Sequence, residues 1–455
     1  MDVEPFVAEG LGNSSYLVVS GDEAAVIDPQ RDIGRIVAAA EARGARIRSV
    51  LETHVHNDYV SGALELRSAT GAQVAGPAGA AYAFPFTPIQ EGAEISVGDL
   101  RLVALATPGH TPEHTAYQAF EPGSDGGPLA LFSGGSLIVG SAGRTDLLGP
   151  ELTEELTRAQ FRTMRRLAGL PDDTLLLPTH GAGSFCASTR PDRERTSTIG
   201  AERARNPALA QTDEASFARE QLDDLQAYPT YYAHMAPINR SGPRVFGDVP
   251  TPPALPPEAF AARIAGGAWV IDARAGHDFA EGHISGSLNV PLEDSFASYV
   301  GWLVPFGTPV VLVLPEPEAE ALPQAATRLF RIGYELIDGR LEGGVGAWAA
   351  SGRPLGSYPT ASLEEYADAA SLGVQIALDV RQNREWSAGH IPGSVHLFVG
   401  DLARRMHGLP READVVVACA TGFRASIAAS VLARDGRRVR LVAEGGVPAA
   451  LRSTA

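Results

Sequence analysis

Two stretches of this chain are versions of one another. VIDARAGHDFAEGHISGSLNVPL, from Val270 to Leu292, recurs as ALDVRQNREWSAGHIPGSVHLFV from Ala377 to Val399. Asp272, Arg274, His283 and Gly286 fall on Asp379, Arg381, His390 and Gly393, each 107 residues later. A fixed offset of that length means two consecutive copies of one domain, which commits the C-terminal half of the chain before any other feature is weighed. Each copy continues into an apolar run (Val310 to Leu314; Val415 to Ala418), a helix-favouring stretch and a short strand ending in Glu-Gly-Gly (Glu342 to Gly344; Glu444 to Gly446). Strands alternating with helices predict a parallel sheet covered on both faces.

The other half reads differently. Up to about residue 190, short β-rich runs (Tyr16 to Val19, Ala24 to Ile27, Arg101 to Leu105, Leu129 to Phe132, Thr174 to Leu177) are separated by Gly, Pro and His turns. Residues 191 to 245 are polar, arginine-rich and helix-favouring, and GDVPTPPALPP from Gly247 to Pro257 holds five prolines, the composition of a stiff linker. The expected domains are 1–200, a helical extension and linker over 201–254, then 255–356 and 357–455.

Charge narrows the partners. The chain has 54 acidic side chains against 37 basic ones, every one of the latter arginine, for a net charge of −17. Such a field repels nucleic-acid phosphates and anionic lipid. No apolar run approaches the roughly 18 residues of a membrane span, and MDVEPFVAEG lacks the basic and apolar regions of a signal peptide. The expectation is a soluble, cytoplasmic protein acting on a small molecule, with homo-oligomerisation left open.

VVVACATGFRASIAASVLA sets Cys419 between a buried strand and an amphipathic helix, with Arg424 five positions on. Backbone N–H groups of such a loop converge on the sulfur, and the helix N-terminus adds positive potential, so an anionic persulfide can be held there. The bland alternative is an inert Cys at a strand end. This loop, with Asp379-Val-Arg381 and Gly389-His-Ile-Pro-Gly-Ser394, resembles the rhodanese sulfurtransferases over residues 360 to 453. The resemblance implies that Cys419 carries sulfane sulfur and that the loop through Gly422 and Arg424 cradles it. Related phosphatases place one more residue between Cys and Arg, so the four found here argue against phosphate chemistry. In the first copy Leu314 takes the place of Cys419, followed by Pro315, Glu316 and Glu318, and no nucleophile is left.

Four histidines leave the ends of apolar runs in turn-rich sequence: His54 and His56 in Thr53-His-Val-His-Asn-Asp58-Tyr59, His110 after Thr107-Pro-Gly, and His180 after Leu177-Pro-Thr. Loops at strand ends bring such residues together, and imidazole is the commonest metal ligand. Scattered surface or capping histidines are the alternative. The set, with Asn13-Ser-Ser-Tyr16, Thr107 to His114, Gly143-Arg-Thr-Asp146 and Pro178 to Cys186, resembles the metallo-β-lactamase superfold over residues 1 to 200 and, within it, the persulfide dioxygenases related to glyoxalase II. The implied architecture is a multidomain α/β protein, an αββα sandwich followed by two rhodanese-like domains with parallel sheets.

Two positions depart from that family: its HxHxDH motif ends here in Tyr59, and its bridging aspartate is Gly135. In the dioxygenases mononuclear Fe(II) sits on a 2-His-1-carboxylate face, which the resemblance maps onto His54, His110 and that missing aspartate. The first-site residues left are His54, His56 and His110, with Asp58 the candidate replacement carboxylate. Such a set suits zinc as well as iron. Tyr59 and Gly135 each remove a ligand from a second site, so one metal, Fe(II) or zinc, is expected, and an empty site is the third case. Cys186, six residues past His180, reads either as buried filler or as a second persulfide acceptor, and Arg144 as a fork for a substrate carboxylate. The functional expectation is oxidation of a low-molecular-weight persulfide such as glutathione persulfide to sulfite by the first domain, with transfer between persulfide, sulfite and thiosulfate at Cys419. Its rivals are a zinc-dependent thioesterase and a metal-free scaffold with Cys419 alone active.

Overall fold

The computed structural model describes residues 1–123, 126–189, 191–223 and 225–453. It divides into two compact units, Met1–Val249 with Phe330–Gly333, and the remainder from Pro250 onward. Among the described residues no helix is long and apolar enough to cross a membrane.

The first unit is built on two six-stranded sheets. One runs Asp2–Ala8, Asn13–Ser20, Glu23–Ile27, Arg46–Leu51, Gln73–Pro77, Thr87–Ile89 in spatial order, antiparallel through its first three strands and parallel thereafter. The other runs Ser197–Thr198, Leu175–Pro178, Ala130–Gly134, Thr115–Phe120, Leu100–Ala106, Glu94–Val97. Alternation along the strands sends successive side chains to opposite faces. Tyr16 and Val18 join Leu102, Tyr117 and Phe132 in a core between the sheets, while Leu17 and Val19 pack outward with Ile33, Ile36 and Leu66. The outer face of the second sheet, Leu131 and Leu176, packs on Met164 and Leu167 of helix Pro150–Leu167. Strands buried on both faces explain why their sequences are continuous apolar runs rather than alternating ones. Tyr16 and Phe132 meet edge to face at 5.4 Å across the sandwich, an arrangement worth about 0.5–1.5 kcal/mol beyond the area it buries. The result is the expected four-layer αββα sandwich, extended by helices Ile199–Arg205, Pro207–Ala210, Glu214–Leu222 and Tyr232–Ser241.

The second unit holds two parallel sheets, one for each copy of the repeat. The first orders Ala254–Leu255, Ile337–Leu341, Val310–Val313, Trp269–Asp272, Leu288–Asn289, and the second Val395–His396, Ile376–Asp379, Val415–Ala418, Val439–Leu441. The repeated residues form a clasp. Arg274 forks onto Asp272 and donates to the Gly282 carbonyl at 2.8 Å, and Arg381 does the same with Asp379 and Gly389. His283 stacks on Phe279 at 4.0 Å and donates Nδ1–H to its carbonyl; His390 does so on Trp386 at 3.7 Å. The motif therefore closes the strand-to-helix turn, and its histidines are structural.

Strand register locates the loops. Asp272 pairs with Val313 and Asp379 with Ala418, so Leu314 and Cys419 follow equivalent strand ends. The proline-rich segment is only partly a linker: Ala254–Leu255 adds an edge strand to the first copy's sheet, and Pro257 opens helix Pro257–Ala265. Edge strands and first helical turns are where proline is tolerated.

Candidate active sites

Three chain segments that leave strand ends deliver the histidines: Glu52 to Asp58 after Arg46–Leu51, Thr107 to His114 after Leu100–Ala106, and Thr179-His180 after Leu175–Pro178; Gly135 follows Ala130–Gly134 beside them. His54, His56, His110, His114 and His180 are all within 1% of complete burial and gather around His54, whose ring lies 4.2 to 5.3 Å from those of the other four. Hydrogen bonds at Nδ1 fix three of them with Nε2 turned inward. His54 Nδ1–H donates to Thr53 Oγ1 (2.8 Å), which itself donates to Asp28; His110 donates to the Arg144 carbonyl (2.8 Å); His180 donates to Asn13 Oδ1 (3.0 Å). His54 and His180 Nε2 are 3.3 Å apart, and His110 Nε2 has no partner among the described residues. Burial and the neighbouring imidazoles hold all three far below the usual imidazole range, His110 and His180 at about 3. Neutral imidazoles with lone pairs converging on one point are the ligating form.

The donor atoms of His54, His110 and His180 lie within 4.8 Å of one another. This differs from the expected His54, His56 and His110. Among the described residues His56 groups instead with Asp28 and His54, or with Asp58 and His180. Its Nε2 is held by Glu52 (2.9 Å), Tyr59 (3.0 Å) and Asp28 (3.3 Å). Burial pulls its pKa down, but the Asp28 and Glu52 carboxylates outweigh that and push it up to about 10. Among the described residues His56 Nδ1 and Asp58 Oδ1 have no partners, and Asn13 Nδ2 orients Asp58 through its other oxygen at 2.8 Å. The orphaned His110 Nε2 fits a cation held with His54 and His180, and His56, Asp58 and His180 form a second group that shares His180 with it. A Cβ at Gly135 would stand 2.4 Å from His110 Cδ2 and 2.9 Å from His180 Cδ2, so the place of the family's carboxylate is filled by imidazole carbon.

Other residues serve as supports. His114, to which the sequence assigned no role, donates to Thr107 Oγ1 and accepts Gly135 N–H at 2.9 Å, holding the Gly134-Gly135 turn. Asn239 donates to the carbonyls of His56 and Tyr59, and the Tyr231 hydroxyl to that of Asp58, which closes the loop from the other side. Arg144 is 2% exposed and spends four of its five N–H donors on Asp146, Phe185 O and Gln226 O, so no two-donor fork is left for the expected role of holding a substrate carboxylate. It positions His110 through its carbonyl instead. Cys186 is fully buried 3.9 Å from the Tyr232 hydroxyl, and burial pushes its thiol pKa well up, an environment that opposes thiolate.

The second site is the loop after Val415–Ala418. Cys419 is 1% exposed, and its sulfur accepts the Gly422 N–H at 3.1 Å where helix Phe423–Arg434 begins. The Glu-Gly-Gly turn backs the loop, with Val447 N–H on the Cys419 carbonyl at 2.8 Å. Arg424 does not reach the sulfur as a free cation; it forks onto Glu385, in helix Asn383–Ala388, at 2.5 and 2.8 Å. The first copy supplies a wall. Tyr299 of its helix Phe296–Leu303 hydrogen-bonds Arg424 and meets Phe423 at 5.5 Å, and Trp302 meets Phe398 at 5.0 Å.

Gly422 has φ of +101°, and a Cβ there would lie 2.0 Å from the Ala443 carbonyl oxygen. Gly422→Ala is therefore expected to turn the amide away from the sulfur, lowering sulfur transfer at least tenfold and stability by about 1–3 kcal/mol. Thiocyanate formation and thermal denaturation measure the two effects, and wild-type values in both contradict this account of the loop.

Comparison with known proteins matches both kinds of domain. The family "Metallo-beta-lactamase superfamily" matches residues 8–180, and "Rhodanese-like domain" matches 256–351 and 362–449. Two hydroxyacylglutathione hydrolases of Cereibacter sphaeroides are each 34% identical, one over 172 residues (37% of this chain, 62% of the relative) and one over 188 (40% and 68%). The chain belongs to the metallo-β-lactamase superfamily. This member spans about two-thirds of the length of those relatives and carries two rhodanese-like domains after the superfamily fold. A metallo-β-lactamase from Staphylococcus aureus subsp. aureus COL superposes with a TM-score of 0.67 at 28% identity, covering 75% of this chain and 98% of that one. A likeness of that extent reaches well beyond residues 8–180.

Proposed function

We propose that this chain processes sulfane sulfur: its metallo-β-lactamase domain oxidises a low-molecular-weight persulfide to sulfite, and Cys419 moves sulfur between thiosulfate, sulfite and thiols. The observation that carries the reading is the Cys419 sulfur held by the Gly422 amide at the start of a helix, in a loop whose spacing suits a persulfide. Attack of the Cys419 thiolate on the outer sulfur of thiosulfate forms Cys419-S-S⁻ and releases sulfite; the reverse step returns thiosulfate. Loop amides offset the persulfide charge, and the Glu385 clamp on Arg424 keeps the loop in shape. The first reaction balances as R-S-SH + O₂ + H₂O giving R-SH + SO₃²⁻ + 2 H⁺. His54, His110 and His180 would hold a redox-active metal, which would supply the one-electron chemistry that O₂ requires. Around it Thr53, Asn13 and the Arg144 carbonyl keep the imidazoles in their ligating tautomer, and the buried setting limits water. The hydrolases named for acylated glutathione support glutathione as the thiol R-SH.

Those same names, and a donor trio without the family's carboxylate, favour one rival, a zinc enzyme that hydrolyses a glutathione thioester. Intact-mass and peptide spectrometry after incubation with thiosulfate tests the Cys419 half of the proposal. One added sulfur atom on the peptide bearing Cys419, with Cys186 unmodified, is the expected result. No adduct, or an adduct on Cys186, refutes it.

A further inference from the structure

The two copies of the repeat differ in what covers the clasp histidine. In the first copy residues 355–358 cross it as a strap. His283 N–H donates to the Gly356 carbonyl at 2.9 Å, Gly356 N–H returns to the His283 carbonyl at 2.8 Å in an antiparallel bridge, and Tyr358 N–H donates to the Ala280 carbonyl at 3.0 Å. The Tyr358 ring lies 5.4 Å from that of His283 and 6.0 Å from that of Phe279. A Cβ at Gly356 would stand 3.1 Å from His283 Nε2 and 3.2 Å from Ser285 Oγ, so glycine is the residue that seats there without displacing either side chain. Under the strap Phe279, Ala280 and His283 are 0%, 1% and 6% exposed.

The second copy presents the same face to solvent. The 107-residue offset puts Trp386, Ser387 and His390 in place of Phe279, Ala280 and His283, and the ring stack and the Nδ1–H bond are kept. Yet Trp386 is only half-buried, and Ser387 and His390 are exposed. Among the described residues no backbone hydrogen bond reaches the His390 N–H, the His390 carbonyl or the Ser387 carbonyl, the three groups whose counterparts hold the strap. One contact of the strap is replaced. Leu355 Cδ1 stands 3.3 Å from the Cβ position of Gly282, and Leu451 Cδ1 stands 3.3 Å from that of Gly389. The second copy thus supplies the leucine from its own last helix, Val447–Ser453, and among the described residues nothing takes the glycine and tyrosine positions.

We propose that this face of the second copy docks an extended segment of a partner protein, with a glycine bridged to the His390 backbone and an aromatic residue two positions later laid on the stacked rings of His390 and Trp386. The chain itself shows what fits, because Gly356 and Tyr358 fill the equivalent seat in the first copy. Unpaired main-chain groups beside exposed rings are what an added strand needs: hydrogen bonds fix its register and the side-chain contact selects it. The seat shares the short helix Asn383–Ala388 with Glu385, which clamps Arg424, so a docked segment rests on the element that braces the Cys419 loop. Docking itself requires no sulfur chemistry.

The probe is the end-blocked octapeptide of residues 353–360, Arg-Pro-Leu-Gly-Ser-Tyr-Pro-Thr, titrated into the nitrogen-15-labelled full-length protein and read by NMR at the four tryptophan indole N–H signals. Trp386→Phe, which keeps a ring on His390, identifies the Trp386 signal. The expected result is a saturable shift of that signal at millimolar peptide or below. The Trp348 signal, whose N–H donates to the Pro354 carbonyl at 3.2 Å and so reports loss of the first copy's own strap, stays in place. N-methylglycine in place of the peptide's glycine removes the N–H meant for the His390 carbonyl and weakens binding about three- to tenfold. Alanine in place of the peptide's tyrosine weakens it about tenfold or more. Both controls leave the protein unaltered. The proposal is overturned if the Trp386 signal does not shift at millimolar peptide, if a scrambled octapeptide shifts it equally, or if the two altered peptides bind as well as the original.

Discussion

Cys419→Ser is expected to reduce thiosulfate-to-cyanide sulfur transfer by about 10³-fold or more, to the uncatalysed background. Serine keeps the shape of the site, and its hydroxyl can accept the Gly422 N–H that the sulfur accepts now. What it removes is the nucleophile, since oxygen cannot carry sulfane sulfur through a persulfide. The first copy cannot compensate, because Leu314 stands at the equivalent strand end. Cys186 cannot either: burial holds its thiol protonated against Tyr232. Thiocyanate formation measures the loss. Transfer retained in Cys419→Ser contradicts the assignment, and the same variant with its oxygen chemistry intact separates the two sites.

His110→Ala is expected to empty the metal site, with affinity falling by more than the roughly 10–100-fold typical of losing an outer partner of a ligand. The Arg144 carbonyl fixes the tautomer of His110, whose inward nitrogen has no partner among the described residues, so one of three converging donors disappears. Asn13→Ala removes a support rather than a ligand: His180 and Asp58 lose their shared anchor, and affinity falls within that 10–100-fold range. Elemental analysis of the purified variants, independent of any activity, reads both. A full complement of metal in His110→Ala contradicts the His54, His110 and His180 site.

Much of the architecture was legible because local pattern and global fold agree. The 107-residue offset made the repeat visible, and it survives as two parallel sheets with the same Asp-Arg clasp. His54, His110 and His180 were legible as strand-end residues in turn-rich sequence. His56 falls in groups with Asp28 and His54 and with Asp58 and His180 rather than with His54 and His110, because Glu52, Asp28 and Tyr59 hold its Nε2, and two of those lie within four residues of it without any motif to mark them. Arg144 misled for a similar reason. Its donors are taken by Asp146, Phe185 and Gln226, and contacts over 41 and 82 residues leave no trace in spacing. The Arg424 clamp on Glu385, 39 residues apart, was equally invisible, as was the wall that Tyr299 of the first copy provides. The proline-rich segment looked like linker throughout, yet Ala254–Leu255 finds a sheet edge.

The most direct test of persulfide oxidation is O₂ uptake when glutathione persulfide is added to the Fe(II)-loaded protein, with sulfite and metal content determined on the same sample. The account predicts one O₂ consumed and one sulfite formed per persulfide, from protein holding one iron on its three histidines. No uptake, with zinc or no metal bound, contradicts it.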